Sequence, residues 1–186
     1  MNIHSQKPPK MKTWKIDPTH SNIAFKVKHL MISTVKGEFG AFDATMQTNG
    51  DEGFENAKVE FSAQIATIST GNEQRDNHLK SADFFDAENH PELKFTSTSL
   101  KRVDDENYKM EGILRIRGVE KQVTLDVEYS GNMVDFYGNN KVGFGLRGKI
   151  NRHDFGLAWN AVTEAGGVVV SEDVRLELDV QMAQQN

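Results

Sequence analysis

Apolar and polar residues exchange places at every second position through much of this chain. Across residues 21–31, Ile23, Phe25, Val27, His29 and Met31 share one face, and Asn22, Lys26 and Lys28 share the other. That period of two predicts a strand with one buried face. Residues 36–47 alternate as well, with interruptions at Gly37 and Gly40 where a strand is expected to bulge or bend. Val59, Phe61, Ala63 and Ile65 alternate with Glu60, Ser62 and Gln64, and Leu93 and Phe95 open a strand that continues to Leu100. Met110, Leu114 and Ile116 stand opposite Glu111, Arg115 and Arg117. After Gly118 the pattern resumes with Val119, Val123, Leu125, Val127 and Tyr129, which places a hairpin turn near Arg117-Gly118. Val142, Phe144, Leu146 and Ile150 line another strand, and Val174, Leu176, Leu178 and Val180 line a last one over 168–182. About eight antiparallel strands of this kind close into a barrel or stack as a sandwich, and the reading here is an all-β, closed antiparallel β-barrel.

One region breaks the period. Residues 71–90 are polar and irregular, with Asn72 and Ser81 placed as helix N-caps, and they predict one or two short helices across the outside or mouth of the barrel. The polar stretches 49–56, 104–107 and 138–140 read as ordinary turns.

Composition narrows the function. The 186 residues include no cysteine, which removes disulfides and thiolate metal sites. A formal charge of −5 with scattered Lys and Arg argues against a nucleic-acid partner. No window supplies the ~20 apolar residues of a membrane-spanning helix. Residues 1–12 read as a polar tail and 13–183 as a single domain. The first ten residues contain no apolar run of the signal-peptide kind, so the expected location is cytoplasmic, or periplasmic if a signal has been removed.

Barrels of about eight strands either fill their interior with side chains or enclose one ligand, and alternation alone does not distinguish the two. Neither a nucleophile elbow, a phosphate loop nor a dinucleotide fingerprint is present, and Gly143-x-Gly145 lies inside a strand pattern, where it would relieve crowding. The six histidines show no HxH or HExxH spacing, so neither a metal nor a cofactor is expected. An enzyme would have to assemble Asp76, His78, His29 or Arg152 at the barrel mouth. Trp14 and Trp159 read as plugs or packing residues, and His20 as a turn residue bridging backbone groups.

Several segments resemble the YceI-like bacterial proteins. The opening Trp14-Lys15-Ile16-Asp17-Pro18-Thr19-His20-Ser21, then Ile23-Ala24-Phe25, Lys28-His29-Leu30 and Gly37-Glu38-Phe39, matches the start of that family. Arg75-Asp76-Asn77-His78-Leu79-Lys80-Ser81 with Phe84-Phe85 is the most specific match, and Gly112–Val119 and Asn151-Arg152-His153-Asp154-Phe155-Gly156 follow in order. The resemblance implies an extended lipocalin-like barrel holding a polyisoprenoid, an isoprenoid quinone or a fatty-acid-like lipid, without catalysis, and in several members a homodimer. The alternative is an enzyme acting on a hydrophobic substrate at the mouth.

Under that reading the tail of the ligand would meet Phe25, Val27, Met31, Phe39 and Phe61 from the first half of the chain. Phe84, Phe85, Phe95, Met110, Leu114, Phe144 and Leu146 would meet it from the second. Arg75, Asp76 and His78 lie together on the inserted helix and have two readings: a lid over the ligand head, or a clasp that bonds loop backbone and locks the helix on the barrel. The clasp is preferred for Arg75 and Asp76. His29 is either a hydrogen-bond donor to the head group or a satisfied core histidine. For Arg152 and Asp154 the expected role is an arginine–carboxylate clasp between loops.

Overall fold

The computed structural model describes residues 11–50, 53–160 and 169–186. The predicted 36–47 strand is two strands, because the chain turns a corner at Gly40-Ala41 and changes partners. The strands are β1 (Met11–Ile16), β2 (Asn22–His29), β3 (Ser33–Phe39), β4 (Phe42–Asn49), β5 (Lys58–Gln64) and β6 (Ile68–Ser69), followed after helix α1 (Glu73–Lys80) by β7 (Glu92–Arg102), β8 (Asn107–Ile116), β9 (Val119–Val134), β10 (Asn140–Asn151) and β11 (Val170–Gln184). Pairing thus begins at Met11, inside the stretch read as a tail. The tail residues before it and Val168 lie outside the described residues.

All eleven strands belong to one sheet. The short early strands act in pairs, β1 with β2, β3 with β4 and β5 with β6, each pair forming one broken stave. β11 is 15 residues long, so it spans both halves of the first stave, pairing with β2 near Val174–Asp179 and with β1 near Met182–Gln184. The result is an eight-staved, closed antiparallel barrel in which each stave neighbours the next in sequence. Closure removes the unpaired edges that an open sheet would present. At the Arg117-Gly118 hairpin both turn residues are left-handed (φ 50° and 72°), as a two-residue primed turn requires.

The 21–31 strand is shorter than its alternation suggests. β2 ends at His29, and Leu30 and Met31 adopt φ of 52° and 61° in the turn that follows. The alternation of residue types ran on past the point where the backbone changed direction. Ser81 does not start a second helix; its N–H and hydroxyl both bond His78 O, closing α1, which Asn72 opens by accepting from Arg75 N at 2.9 Å. At Gly143 a Cβ would meet nothing tighter than 3.5 Å; this glycine marks the bulge between β9 and β10 and does not relieve crowding.

Two inward glycines make room for rings. A Cβ on Gly37 would sit 2.2 Å from Phe25 Cζ, and one on Gly112 would sit 2.4 Å from Phe95 Cζ and 2.6 Å from the Thr96 carbonyl. Gly112→Ala is therefore expected to cost about 1–3 kcal/mol in chemical denaturation. Gly37→Ala should cost less, since it meets only the end of a ring that borders open space.

The connector between β1 and β2 is fixed by charge. Asp17 accepts from Lys141 Nζ on β10 at 2.9 Å, and also bonds Thr19 and the His20 imidazole, so His20 pairs with side chains and does not bridge backbone. Lys141, together with His20 and Thr19, holds the Asp17 carboxyl well below the usual carboxylate range. A depressed pKa contributes stability above the unfolded value, about 4, and loses it as pH falls toward the folded one. Asp17→Asn should consequently destabilise at pH 7, with the difference from wild type shrinking in urea titrations run progressively below about pH 4.

Candidate functional site

Inward residues along the barrel differ in how completely they are covered. At one end Trp14, Met46, Tyr108 and Met110 are fully buried, and Phe54 packs edge-on against Trp14, Tyr108 and Phe144 and tilted against Tyr129. Trp14 Nε1 donates to Thr48 Oγ1 at 3.2 Å, which satisfies the indole inside this plug. Farther along, Phe25, Phe61, Leu146, Val174, Leu176, Leu178 and Val180 point inward yet remain only half-buried. They border empty space. A cavity of about 230 Å³ runs between them, and its walls are apolar apart from Arg152.

At the α1 end a second space of about 410 Å³ shares Phe25, Val27, Leu79, Phe84 and Val170 with the bore. This vestibule is more polar, being lined also by His29, Thr70, Asn72, Gln74, Arg75, His78 and Trp159. Together the two spaces fall in the ~300–1,000 Å³ range of ligand pockets.

The structure brings most of the sequence candidates together. Phe25, Val27, Phe39, Phe61, Phe84, Phe85, Phe95, Met110, Leu114, Phe144 and Leu146 all line the bore, and His29, Arg75 and His78 line the vestibule. Met31 does not join them; its side chain is 62% exposed in the β2–β3 turn.

Arg75 and Asp76 grip the same residue. Arg75 donates through Nε to Thr70 Oγ1 and through Nη2 to Thr70 O, while Asp76 Oδ1 accepts from Thr70 N and Thr70 Oγ1. This clasp ties α1 to the strand before it. His78 Nε2 lies 2.9 Å from Asp83 Oδ2, and its ring stands edge-on to Trp159 at 4.6 Å and to Phe84 at 5.1 Å. His29 is half-buried and has no side-chain hydrogen bond among the described residues.

Arg152 is only 3% exposed, and no carboxylate among the described residues clasps it. Its guanidinium donates to the carbonyls of Leu157, Trp159, Val170 and Ser171. Burial pushes its pKa down, but a guanidinium keeps its charge. The arginine thereby pins the segment that carries Trp159 against the mouth. Neither Trp159 nor Leu79 was marked by sequence as a lining residue: Trp159 lies outside any alternating run, and Leu79 sits on a helix of overwhelmingly polar composition.

The YceI-like domain model matches residues 14–182. This chain belongs to the YceI-like family. A UPF0312 protein of Staphylococcus aureus is 35% identical over 176 residues, covering 93% of this chain and 98% of its own. The crystal structure of the Campylobacter jejuni YceI protein superimposes with a TM-score of 0.71 at 34% identity, over 86% of this chain and 90% of that one. A polyisoprenoid binding domain from Saccharophagus degradans, implicated in plant cell wall breakdown, shares the fold at 14% identity, with a TM-score of 0.64 over 92% and 98% of the two chains.

Proposed function

We propose that this YceI-like protein binds a long apolar amphiphile, of the polyisoprenoid, isoprenoid quinone or fatty-acyl kind, with its tail in the bore and its polar head in the vestibule. The observation that carries the reading is the set of inward apolar side chains left half-buried around a bore plugged at one end. Each methylene moved from water into such a bore contributes about 0.8 kcal/mol, so a long tail needs few polar contacts. The Saccharophagus domain described as polyisoprenoid binding supports the ligand class. His29, Arg75 and His78 are the groups placed to orient a head.

The proposed role is binding or carriage without chemistry. Two of the polar residues that an enzyme at the mouth would recruit, Asp76 and Arg152, are already committed to Thr70 and to backbone carbonyls. Protein purified under native conditions and extracted into organic solvent should yield a stoichiometric long-chain lipid by mass spectrometry. Repeated recovery of none, with no uptake of added isoprenoid or fatty acid, would sink the proposal.

A further inference from the structure

The β2–β3 hairpin lies at the mouth-end rim, with β2 paired to β11 as far as His29 opposite Val170. Among the described residues Ser33–Gly37 on β3 pair only with β2, because β6 reaches no farther than Glu38 and Phe39. At its tip Leu30, Met31 and Ile32 are 43%, 62% and 88% exposed. The turn is nevertheless held in place: Ile32 N donates to His29 O, Ser33 Oγ to the same carbonyl, and Leu30 N to Val169 O at 2.7 Å. Leu30 and Met31 occupy left-handed positions that ordinarily fall to Gly, Asn or Asp. Apolar side chains at such positions cost conformational energy, and here they leave much of their surface exposed.

Beneath the tip, on the outer face, lies a row of cations. Lys149 pairs with Arg175, Arg175 with Lys26, and Lys26 with Lys36, so four strands carry four basic residues directly opposite one another. Lys28 lies one row nearer the tip. Like charges set opposite in a ladder oppose sheet formation. Glu177 compensates Lys26 at 3.0 Å and Asp173 approaches Lys149 at 3.7 Å, Glu38 follows Lys36 one row farther from the tip, and Glu172 faces His153 at 3.7 Å. In a chain of net charge −5 the row is a local concentration of positive charge that these ion pairs match only in part.

From these features we infer that the mouth end docks on an anionic phospholipid bilayer, with Leu30, Met31 and Ile32 inserted among the acyl chains and the basic row against the head groups. An apolar edge backed by basic residues is the surface chemistry of interfacial membrane binding. The vestibule opens beside this tip, so an amphiphile would pass between bilayer and bore with little exposure to water. That purpose, though not the docking itself, rests on the lipid-binding reading.

Sedimentation of the full chain with phosphatidylcholine–phosphatidylglycerol vesicles, compared with phosphatidylcholine alone, tests it. Wild type should partition about tenfold more strongly onto the anionic vesicles and be released by salt. Ile32→Glu should lose about tenfold on both compositions, and Lys36→Glu with Arg175→Glu should lose binding on the anionic vesicles only. Phe136→Glu, in the exposed β9–β10 turn at the plugged end, should behave as wild type. The inference is overturned if wild type binds neither vesicle, or if Phe136→Glu and not Ile32→Glu releases it. It is equally overturned if Ile32→Glu dissolves a dimer in velocity sedimentation while vesicle binding is absent, because the tip is then covered by a second copy. Lipid content measured on the same samples keeps the two proposals apart. An empty bore with intact docking defeats only the first, and a loaded bore without docking defeats only the second.

Discussion

Leu146→Trp should empty the protein of lipid without unfolding it. Leu146 sits mid-stave on β10, opposite Val127 on β9 and Leu178 on β11, with its side chain half-buried against the bore. An indole at this position would take up space that a ligand tail needs. Excluding about three methylenes corresponds to ~2–3 kcal/mol, or roughly fifty-fold in affinity. Displacement of a fluorescent fatty acid, backed by native mass spectrometry, reads the loss. The same variant also distinguishes a hollow barrel from a filled one. A close-packed interior would be strained by about 1–3 kcal/mol on accepting the larger ring, whereas an open bore should accept it with unfolding stability unchanged or raised. Undiminished affinity in a folded Leu146→Trp protein would place the ligand elsewhere.

Arg152→Met should produce the largest loss of stability, about 3–5 kcal/mol in urea unfolding. The guanidinium supplies donors to four carbonyls, and of these Val170 O also accepts from the Asn160 amide at 2.8 Å. Each buried acceptor left without a partner costs about 1–3 kcal/mol, reduced where water can enter. Arg152→Lys should recover little, because an ammonium cannot reach the fork of carbonyls that a planar guanidinium spans. The defect should extend to the site. Trp159 is held at the mouth through its own carbonyl, whereas the other tryptophan, Trp14, lies buried in the plug. Quenching of tryptophan fluorescence on ligand addition should therefore be lost in Arg152→Met before the fold itself is, at low denaturant. If stability and quenching both stayed at wild-type values, the carbonyl cluster would have to be satisfied in some other way.

Much of the barrel wall was legible in the chain because strand geometry allows one side-chain period. Once Phe61 faces inward, Val59 and Ala63 must do so too, and the same logic placed Met110, Leu114, Phe144 and Leu146 on the bore. The rule fails where the backbone turns. His29-Leu30-Met31 continued an alternation of residue types through a change of direction, so Met31 was assigned to the interior and lies at an exposed tip. The helix clasp was legible in kind, since Arg75 and Asp76 sit next to a polar loop that needs partners. Arg152 was not, because an arginine with a nearby aspartate suggests an ion pair. Its actual partners are four carbonyls, those of Leu157 and Trp159 in the segment that follows it and those of Val170 and Ser171 at the start of β11.

Sequence by itself determined that this protein would be built of strands with one buried face and which residues inside each strand would turn toward the core, because a pleated strand sends alternate side chains to opposite faces whatever surrounds it. Whether that core is full or empty was decided only in three dimensions. Eight staves closing at a set width leave space that depends on how every inward side chain meets those across the barrel. Here the rings of Trp14, Phe54, Tyr108, Tyr129 and Phe144 meet and seal one end, while Phe25, Leu146 and Leu178 stay half-buried around the open bore.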